Sequence, residues 1–265
     1  MAILKTKALT RCFNGYPAVD ALTIAVEAGE VFGLLGPNGA GKTTTLKMLT
    51  TLLPPTSGTA SVAGFDIVRQ ARDVRRVIGY VPQLVSADGS LTGYENLLIF
   101  AKLYDIPRAE RQGRIHDALA LIDLTEAGDR MVREYSGGMI RRLEIAQSML
   151  HRPRVLFLDE PSVGLDPVAR RAVWDHIEEL RREYGTTIMM TTHLMEEADH
   201  LCHRVAIMHL GRVAAIGTPG ALKASLGGNE TTLDDVFVHY AGGIVDSGGG
   251  YSEVSRTRRT AQRLG

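Results

Sequence analysis

The chain has 265 residues, 45% of them hydrophobic, and its 30 basic and 30 acidic residues give a formal net charge of zero. This composition is typical of a globular protein with a sizeable core, and it excludes a global electrostatic field that would attract nucleic acid. Its two cysteines, Cys12 and Cys202, lack the spacing of metal ligands or of a disulfide framework. No apolar run approaches the ~18 residues that span a bilayer, so any spanning helices are expected on another chain.

Short apolar runs alternate with longer helical patterns along the sequence. The runs read VFGLLG, RVIGYVPQ, RVLFLDEP and TTIMMTTH. This alternation predicts a largely parallel α/β sheet. From Ala87 to Pro153 the spacing of apolar residues is helical instead, which predicts an inserted helical subdomain.

These patterns predict four parts of the chain. Residues 1–86 and 154–225 would form one α/β core, and residues 87–153 the helical subdomain. Residues 226–241 would form a C-terminal appendage. Residues 242–265, rich in Gly, Ser and Arg, are predicted to be a disordered tail.

A phosphate-binding loop follows the first apolar run. The sequence GPNGAGKT matches GxxxxGK[ST] and lies between a predicted strand and a predicted helix. In this motif backbone N–H groups converge on phosphate oxygens, Lys42 reaches the β and γ phosphates, and the Thr43 hydroxyl can ligate Mg²⁺. The nucleotide-contacting residues predicted here are Gly36, Pro37, Asn38, Gly39, Ala40, Gly41, Lys42, Thr43 and Thr44. The motif alone does not separate a kinase, a GTPase and a motor ATPase.

Two carboxylates end the apolar run VLFLDEP. Ligands of parallel sheets collect at the carboxyl ends of the strands, where Asp159 and Glu160 would lie. Asp159 can hold Mg²⁺ through water, and Glu160 can orient and activate an attacking water. An alternative is that both acids simply cap the strand with solvated charge.

Two further side chains are expected near the carboxylates. His193 ends the run TTIMMTTH and could contact the γ phosphate and the water. Gln83 ends GYVPQ, where the α/β core meets the helical subdomain, and its amide oxygen can touch Mg²⁺ or the attacking water.

A second anion-binding feature occurs at Ser136, Gly137 and Gly138. Serine is a favoured helix N-cap, and the glycines leave backbone N–H groups open to an anion. An ordinary helix start is the alternative for an isolated SGG. Since the first loop already surrounds the phosphates on its side, a second anion-binding end would suit the nucleotide of another subunit, in a head-to-tail dimer with two sites.

The motifs GPNGAGKT, YVPQ, YSGGM, VLFLDEP, SVGLD and TTH occur in the order of the ATP-binding subunits of ABC transporters, which the chain resembles over about its first 240 residues. The resemblance implies a P-loop NTPase (RecA-like) core with an antiparallel β subdomain and an inserted α-helical subdomain. It also implies that Lys42 is the Walker A lysine, Glu160 the catalytic base and Gln83 the Q-loop residue. Asp166 would be the D-loop aspartate and His193 the switch histidine.

The signature by this resemblance comprises Ser136, Gly137, Gly138 and Met139, which would bind the γ phosphate held by the opposing subunit. Met139 stands where Gln is usual, and Tyr135 before the signature stands where Leu is usual. The aromatic residue that stacks on adenine would be Phe13, with Tyr16 as the competitor, because either offers a ring face.

Longer stretches, including AVDALTIAVEAGEVFGLLGPNGAGKTTTLKMLTTLLPPTSGTASVAGFDI and TTLDDVFVHYAG, resemble the daunorubicin-resistance type of ATPase subunit, which works with ABC-2 type permeases. The resemblance implies export, a homodimer or paired ATPase subunit, separate transmembrane permease subunits, and Mg²⁺ with ATP. It places the protein at the cytoplasmic face of the membrane, without direct contact with the transported substrate or with nucleic acid.

Several other functions share some of these motifs. Kinases and GTPases lack YSGGM and the trailing His193. A non-transport ABC ATPase, such as a cluster-assembly subunit, and an importer ATPase remain alternatives. A degenerate module that binds ATP without hydrolysing it is opposed by Glu160 and His193.

Overall fold

The computed structural model of the chain describes residues 1–227 and 231–245. Within these residues two β-sheets pack with helices into layers, and a group of three helices is inserted between two strands of the larger sheet. No helix of this part of the chain has both the length and the apolar character needed to cross a bilayer.

The larger sheet has six strands, five of them parallel. Its spatial order is β11 (Arg212–Gly217), β10 (Arg204–His209), β4 (Val31–Leu35), β9 (Thr187–Thr192), β8 (Val155–Asp159) and β7 (Ile78–Val81). Only β11 is antiparallel to its neighbour. Every residue of β4, β8 and β9 is buried, as expected for strands covered on both faces. The predicted parallel α/β sheet is confirmed.

The smaller sheet is antiparallel. It contains β1 (Ala2–Phe13), β2 (Tyr16–Leu22), β3 (Ala25–Glu27), β5 (Ser57–Val62) and β6 (Phe65–Asp66). A two-residue turn joins β1 to β2, with φ of 48° at Asn14 and 83° at Gly15. Positive φ at both central residues favours a tight hairpin, which leaves Phe13 and Tyr16 paired at its tip.

Helices cover both faces of the larger sheet. They are α1 (Lys42–Leu49), α2 (Ala71–Val77), α6 (Pro167–Tyr184), α7 (Met195–Leu201), α8 (Pro219–Ala224) and α9 (Leu233–Val245). The apolar residues of α1 share one core with both sheets, whereas those of α6 to α9 share a second core on the opposite face. The phosphate-binding loop is therefore held between two packed layers.

The inserted helices lie between β7 and β8. They are α3 (Gly93–Leu103), α4 (Arg108–Leu121) and α5 (Gly137–Met149), and they pack around a third core that includes Leu97, Ile115 and Leu143. Thr92 caps α3 through a reciprocal pair of hydrogen bonds with Glu95. A 3₁₀ turn at Val132–Glu134 leads directly into α5. Two residues of α5, Ile145 and Met149, also belong to the core of α6 to α9, so α5 joins the insert to the larger sheet.

The C-terminal appendage predicted at residues 226–241 contains the start of α9, but this helix continues to Val245. Assigning residues 242–245 to a disordered tail is therefore corrected: the glycine pair at 242–243 costs helix stability without ending the helix. The rest of the predicted tail, residues 246–265, lies outside the described residues.

Candidate nucleotide site

The loop between β4 and α1 is built by close backbone approaches. A Cβ atom at Gly36 would lie 2.3 Å from the carbonyl oxygen of Met208, and one at Gly41 would lie 2.4 Å from that of Ala18. Gly41 also has a φ of 102° and is the N-cap of α1, without a side-chain cap. The backbone N–H groups of the first turn of α1 therefore lack helical partners and favour an anion.

The remaining loop residues form the rim and the floor of the turn. Asn38 and Gly39 are exposed, whereas Ala40 is buried and its carbonyl accepts a hydrogen bond from Gly211 N–H at 3.0 Å. Pro37 accepts a hydrogen bond from Ala40 N–H at 3.1 Å, which closes the turn. Thr44 is half-buried in the first turn of α1.

Lys42 lies in the floor of the loop. Its Nζ donates to the carbonyl oxygens of Gly36 at 2.7 Å and Pro37 at 3.2 Å, and lies 3.1 Å from Glu160 Oε1. Each partner of this ion pair is only 4% exposed. Breaking such a buried pair would leave an uncompensated charge. The pair therefore ties the loop to the end of β8.

Asp159 and Thr43 meet beside this pair. Asp159 is buried, and its Oδ1 accepts hydrogen bonds from Thr43 Oγ1 at 3.0 Å and from Thr191 Oγ1 at 2.6 Å. Burial, with a further contribution from the Asp159 carboxylate, raises the pKa of nearby Tyr80 to about 12. A hydroxyl and a carboxylate in contact fit Mg²⁺, which takes one or two protein oxygens and completes its shell with water and phosphate. The described residues contain no group of three His, Cys, Asp or Glu that could hold a metal ion.

Glu160 has an unusual backbone conformation at the end of β8, with a φ of 51°. A residue with a Cβ atom is disfavoured there and persists only where its surroundings hold it. Glu160 N–H lies 3.1 Å from the carbonyl oxygen of Thr191 and 3.0 Å from its Oγ1. These contacts attach the backbone of Glu160 to β9.

Three predicted site residues converge on the Glu160 carboxylate. Gln83 Nε2 donates to Oε2 at 3.1 Å, and His193 Nδ1 lies 3.3 Å from Oε1, the oxygen that also faces Lys42. The structure therefore brings together Lys42, Gln83, Glu160 and His193 from four separate segments of the chain. This carboxylate can accept a proton while its neighbours hold it in place.

His193 precedes a helix that is anchored in the core. Glu197 on α7 is fully buried and accepts a hydrogen bond from Trp174 Nε1 of α6 at 3.0 Å. Burial raises the pKa of the Glu197 carboxyl, and hydrogen bonds to it, including that from Trp174, partly oppose the shift. The sequence analysis did not single out Glu197, although an acid four residues after His193 on a short helix was a usable signal.

Sequence reasoning also missed a buried ion pair on α5. Arg141 and Glu144 are both buried, and Arg141 Nη1 lies 3.1 Å from Glu144 Oε2. Their bonds reach the chain segments around Gln83 and Glu160. Charged residues that interrupt the apolar face of a helix were the available signal.

The signature residues form a separate group at the start of α5. Ser136 is the N-cap, and its Oγ accepts a hydrogen bond from Met139 N–H at 3.3 Å. Ser136 and Gly137 are exposed, whereas Gly138 is buried and a Cβ there would lie 2.8 Å from Ala169 Cβ of α6. The carboxylate of Asp166 caps α6 by accepting from the N–H groups of residues 168 and 169, both at 2.9 Å.

Two aromatic residues form a third group at the tip of the β1–β2 hairpin. Phe13 is 44% exposed and Tyr16 is 68% exposed. The guanidinium carbon of Arg11 lies 4.7 Å from the centre of the Phe13 ring, within cation–π range. Both rings could stack on a planar ligand.

Comparison with known proteins agrees with this site. The sequence profile of the family described as "ABC transporter" matches residues 19–163. The chain is 47% identical over 230 residues to the daunorubicin/doxorubicin resistance ATP-binding protein DrrA of Streptomyces peucetius, covering 87% of this chain and 69% of DrrA. It is 42% identical over 224 residues to the Nod factor export ATP-binding protein I of Paraburkholderia xenovorans, covering 84% and 73% of the two chains.

A solved structure titled "Structure of ATP binding subunit of ABC transporter" superposes with a TM-score of 0.79 at 30% identity, covering 90% of this chain and 99% of that one. The fold, the phosphate-binding loop and the sequence profile therefore indicate the same family. The chain belongs to the ABC transporter family of ATP-binding proteins, which hydrolyse ATP.

Proposed function

We propose that this chain is the motor subunit of an exporter: two copies close around two Mg·ATP, and the closing movement drives a separate ABC-2 type permease. The convergence of Lys42, Gln83 and His193 on one buried carboxylate is the observation that carries the proposal. An importer ATPase and a non-transport ABC ATPase are the alternatives.

Glu160 acts as the general base in this proposal. Its carboxylate takes a proton from the attacking water, and Gln83 and His193, which already contact it, orient the water and sense the γ phosphate. Lys42 leaves Glu160 to neutralise the β and γ phosphates, because a cation there stabilises charge that builds up during transfer. Mg²⁺, held through Thr43 and Asp159, would neutralise phosphate oxygens when bound.

The second subunit supplies the signature. Gly137 is exposed, and a Cβ there would meet only Leu165 Cδ2, at 3.4 Å, so packing within the chain does not require glycine. A glycine kept at an exposed helix start suits a close approach by an anion from outside the chain. Ser136 and Asp166 are exposed, Met139 is half-buried and Gly138 is buried behind them, and these residues would complete the site of the other copy. Phe13, or else Tyr16, would stack on the adenine.

The permease would dock beside Gln83. Leu84 is 81% exposed and Val85 65% exposed, and Leu103 on α3 is 70% exposed. Leu84 and Val85 directly follow Gln83, and exposed apolar side chains at that position would suit a protein contact. Residues 90–104 would form the rest of this contact, so that movement of α3 is passed to a permease at the cytoplasmic face of the membrane. The exported substrate would be drug-like, a lipid or a polysaccharide; the names of the similar proteins specify daunorubicin and doxorubicin resistance and Nod factor export.

A Glu160→Gln variant tests the proposal. It should lower ATP turnover by about a thousandfold, since a general base contributes about 10²–10⁴ to the rate. With hydrolysis blocked, ATP should shift the variant from monomer to dimer in size-exclusion chromatography. Glu178→Gln, an exposed site on α6, is the matched control and should behave like the wild type. A Glu160→Gln monomer that hydrolyses ATP at the wild-type rate would overturn the assignment.

The transporter assignment needs a second experiment. The chain should be captured from detergent-solubilised membranes together with a multi-helix membrane protein, and mass spectrometry should identify that partner. A permease with the topology of exporters supports the proposal. Cluster-assembly proteins in its place would favour the non-transport alternative.

A further inference from the structure

We propose that Arg141, held by Glu144, is a positioning residue for hydrolysis: it fixes the backbone at Gln83 and at Glu160 to the signature helix α5. The inference rests on the proposed roles of Gln83 and Glu160. It adds a physical link between the helix that carries the signature and the two residues that handle the attacking water.

The guanidinium of Arg141 bonds to two different strand ends. Nε donates to the carbonyl oxygen of Pro161 at 2.8 Å, and Nη2 donates to that of Glu160 at 3.2 Å, both after β8. Nη1 donates to the carbonyl oxygen of Pro82 at 2.7 Å, after β7. One side chain therefore joins the segment before Gln83 to the segment that carries Glu160.

Glu144, one turn further along α5, completes the link. Its Oε2 pairs with Arg141 Nη1 at 3.1 Å, and its Oε1 accepts hydrogen bonds from the N–H of Ser86 and from Ser86 Oγ, the latter at 2.9 Å. Gln83 thus lies between two attachments to α5, one at Pro82 and one at Ser86. Its side chain meets Glu160 at 3.1 Å as a consequence of where its backbone is held.

The backbone conformation of Glu160 indicates what its contact with Arg141 does beyond filling space. A φ of 51° is unfavourable for glutamate, so the contacts on either side of the residue must maintain it. Thr191 holds its N–H and Arg141 holds its carbonyl oxygen. Arginine suits this place because several donors in one rigid plane can serve several carbonyls, whereas lysine has a single nitrogen.

The arrangement links movement to chemistry. Because Ser136 caps α5, a displacement of the signature moves the guanidinium, and the guanidinium is bonded to both strand ends. Gln83 and Glu160 then shift together relative to Lys42 and the phosphates. A misplacement of about 1 Å can cost about a hundredfold in rate.

The test compares Arg141→Met and Arg141→Lys with Arg142→Met in the full-length protein. Arg142 is the neighbouring arginine on α5, half-buried, and its Nη1 donates to the carbonyl oxygen of Ile122 within the helical subdomain, at 2.7 Å. Steady-state phosphate release gives kcat and KM for ATP, and thermal melting gives the folded fraction. Each variant is assayed on folded protein only.

Both Arg141 variants should lower kcat by about 10- to 100-fold with KM within about twofold of the wild type. Arg142→Met should keep kcat within about twofold of the wild type, even if its Tm falls by as much as that of the Arg141 variants. Gln83→Ala is also made in the wild type and in Arg141→Met. The fold-decrease in kcat that it causes should be at least about threefold smaller in Arg141→Met, because Gln83 is then already misplaced.

Two results would overturn the inference. One is a wild-type kcat for Arg141→Lys, which would mean that charge alone suffices. The other is a Gln83→Ala effect of equal size in both backgrounds. If Arg141→Met does not fold, Glu144→Gln provides the same comparison with Gln83→Ala. Failure of the proposed function is distinguishable, because Glu160→Gln would then leave the hydrolysis rate unchanged whatever the Arg141 variants do.

Discussion

The two helix ends proposed to bind phosphate differ in how far the chain itself completes them. At the loop before α1, the lysine is buried and already paired with a carboxylate of the same chain. At the start of α5, Ser136 and Gly137 are exposed, and the hydrogen bond of the serine is a local cap. The first end is finished by intrachain contacts, and the second offers its N–H groups outward.

This difference predicts where substitutions should affect stability and where they should affect only activity. Changes at the loop should damage stability and activity together, since the same contacts serve both. Changes at the exposed residues Ser136 and Gly137 should damage activity alone. The predictions below use that contrast.

The largest effect is expected at the buried end. Lys42→Ala should lower ATP turnover by about a hundredfold or more, because it removes a cation aimed at the phosphates. It should also lower the free energy of unfolding by about 3–5 kcal/mol, because the buried Glu160 carboxylate loses its lysine partner. Phosphate release and thermal melting measure the two effects.

A double variant separates these two effects. Lys42→Met combined with Glu160→Gln removes both charges, so its Tm should recover while hydrolysis stays absent. A Lys42→Ala protein as stable as the wild type would show that the ion pair does not hold the loop.

A mixing experiment addresses whether the exposed end serves another copy. Ser136→Arg and Lys42→Ala proteins should each be inactive alone. In a 1:1 mixture half of the dimers combine the two chains, and each such dimer has one intact site, so activity should return to about a quarter of the wild-type value. The control mixture combines wild type with a chain that carries both changes. Its mixed dimers have no intact site. No recovery in the first mixture would contradict a shared site.

The two signature glycines provide a sharper contrast. Gly137→Ala should leave Tm unchanged, because its Cβ has room, but lower kcat by about tenfold by obstructing the approach of the phosphate. Gly138→Ala should lower the free energy of unfolding by about 1–3 kcal/mol, because its Cβ would collide with Ala169. Equal kcat values for Gly137→Ala and the wild type would argue against an anion site at this helix end.

The smallest effect is expected at the hairpin tip. Phe13→Ala should raise KM for ATP by about fivefold, since an aromatic stack is worth about 1 kcal/mol, with kcat unchanged. Tyr16→Ala is the matched comparison, because the two residues pair across the same turn. A larger KM effect for Tyr16→Ala would reassign the stacking residue.

Much of the fold could be predicted from the sequence because its signals are local. The strands VFGLL and VLFLD are continuous apolar runs, and the loop between β4 and α1 is a contiguous motif. The contact of Gln83 and His193 with Glu160 could be anticipated for a similar reason. Each of these residues ends a strand or lies just beyond one, and parallel strands bring such residues to one edge.

Other features depend on contacts that no short pattern encodes. Arg141 reaches carbonyl groups of Pro82 and Pro161, and nothing in YSGGMIRR indicates which carbonyls those are. The choice between Phe13 and Tyr16 could not be made either, because the turn places both rings together. The predicted tail began at residue 242 because Gly, Ser and Arg dominate from there, a composition typical of disorder, although the helix continues to Val245.

The order of strands in the larger sheet has a consequence for biosynthesis. β4 pairs on one side with β9 and on the other with β10, both encoded far downstream. While the ribosome is still making the second half of the chain, both edges of this apolar strand lack their partners, and unpaired apolar edges promote association with other nascent chains. β4, which leads into the phosphate-binding loop, is thus synthesised early and enclosed late. Pauses in translation before β9 should therefore favour aggregation.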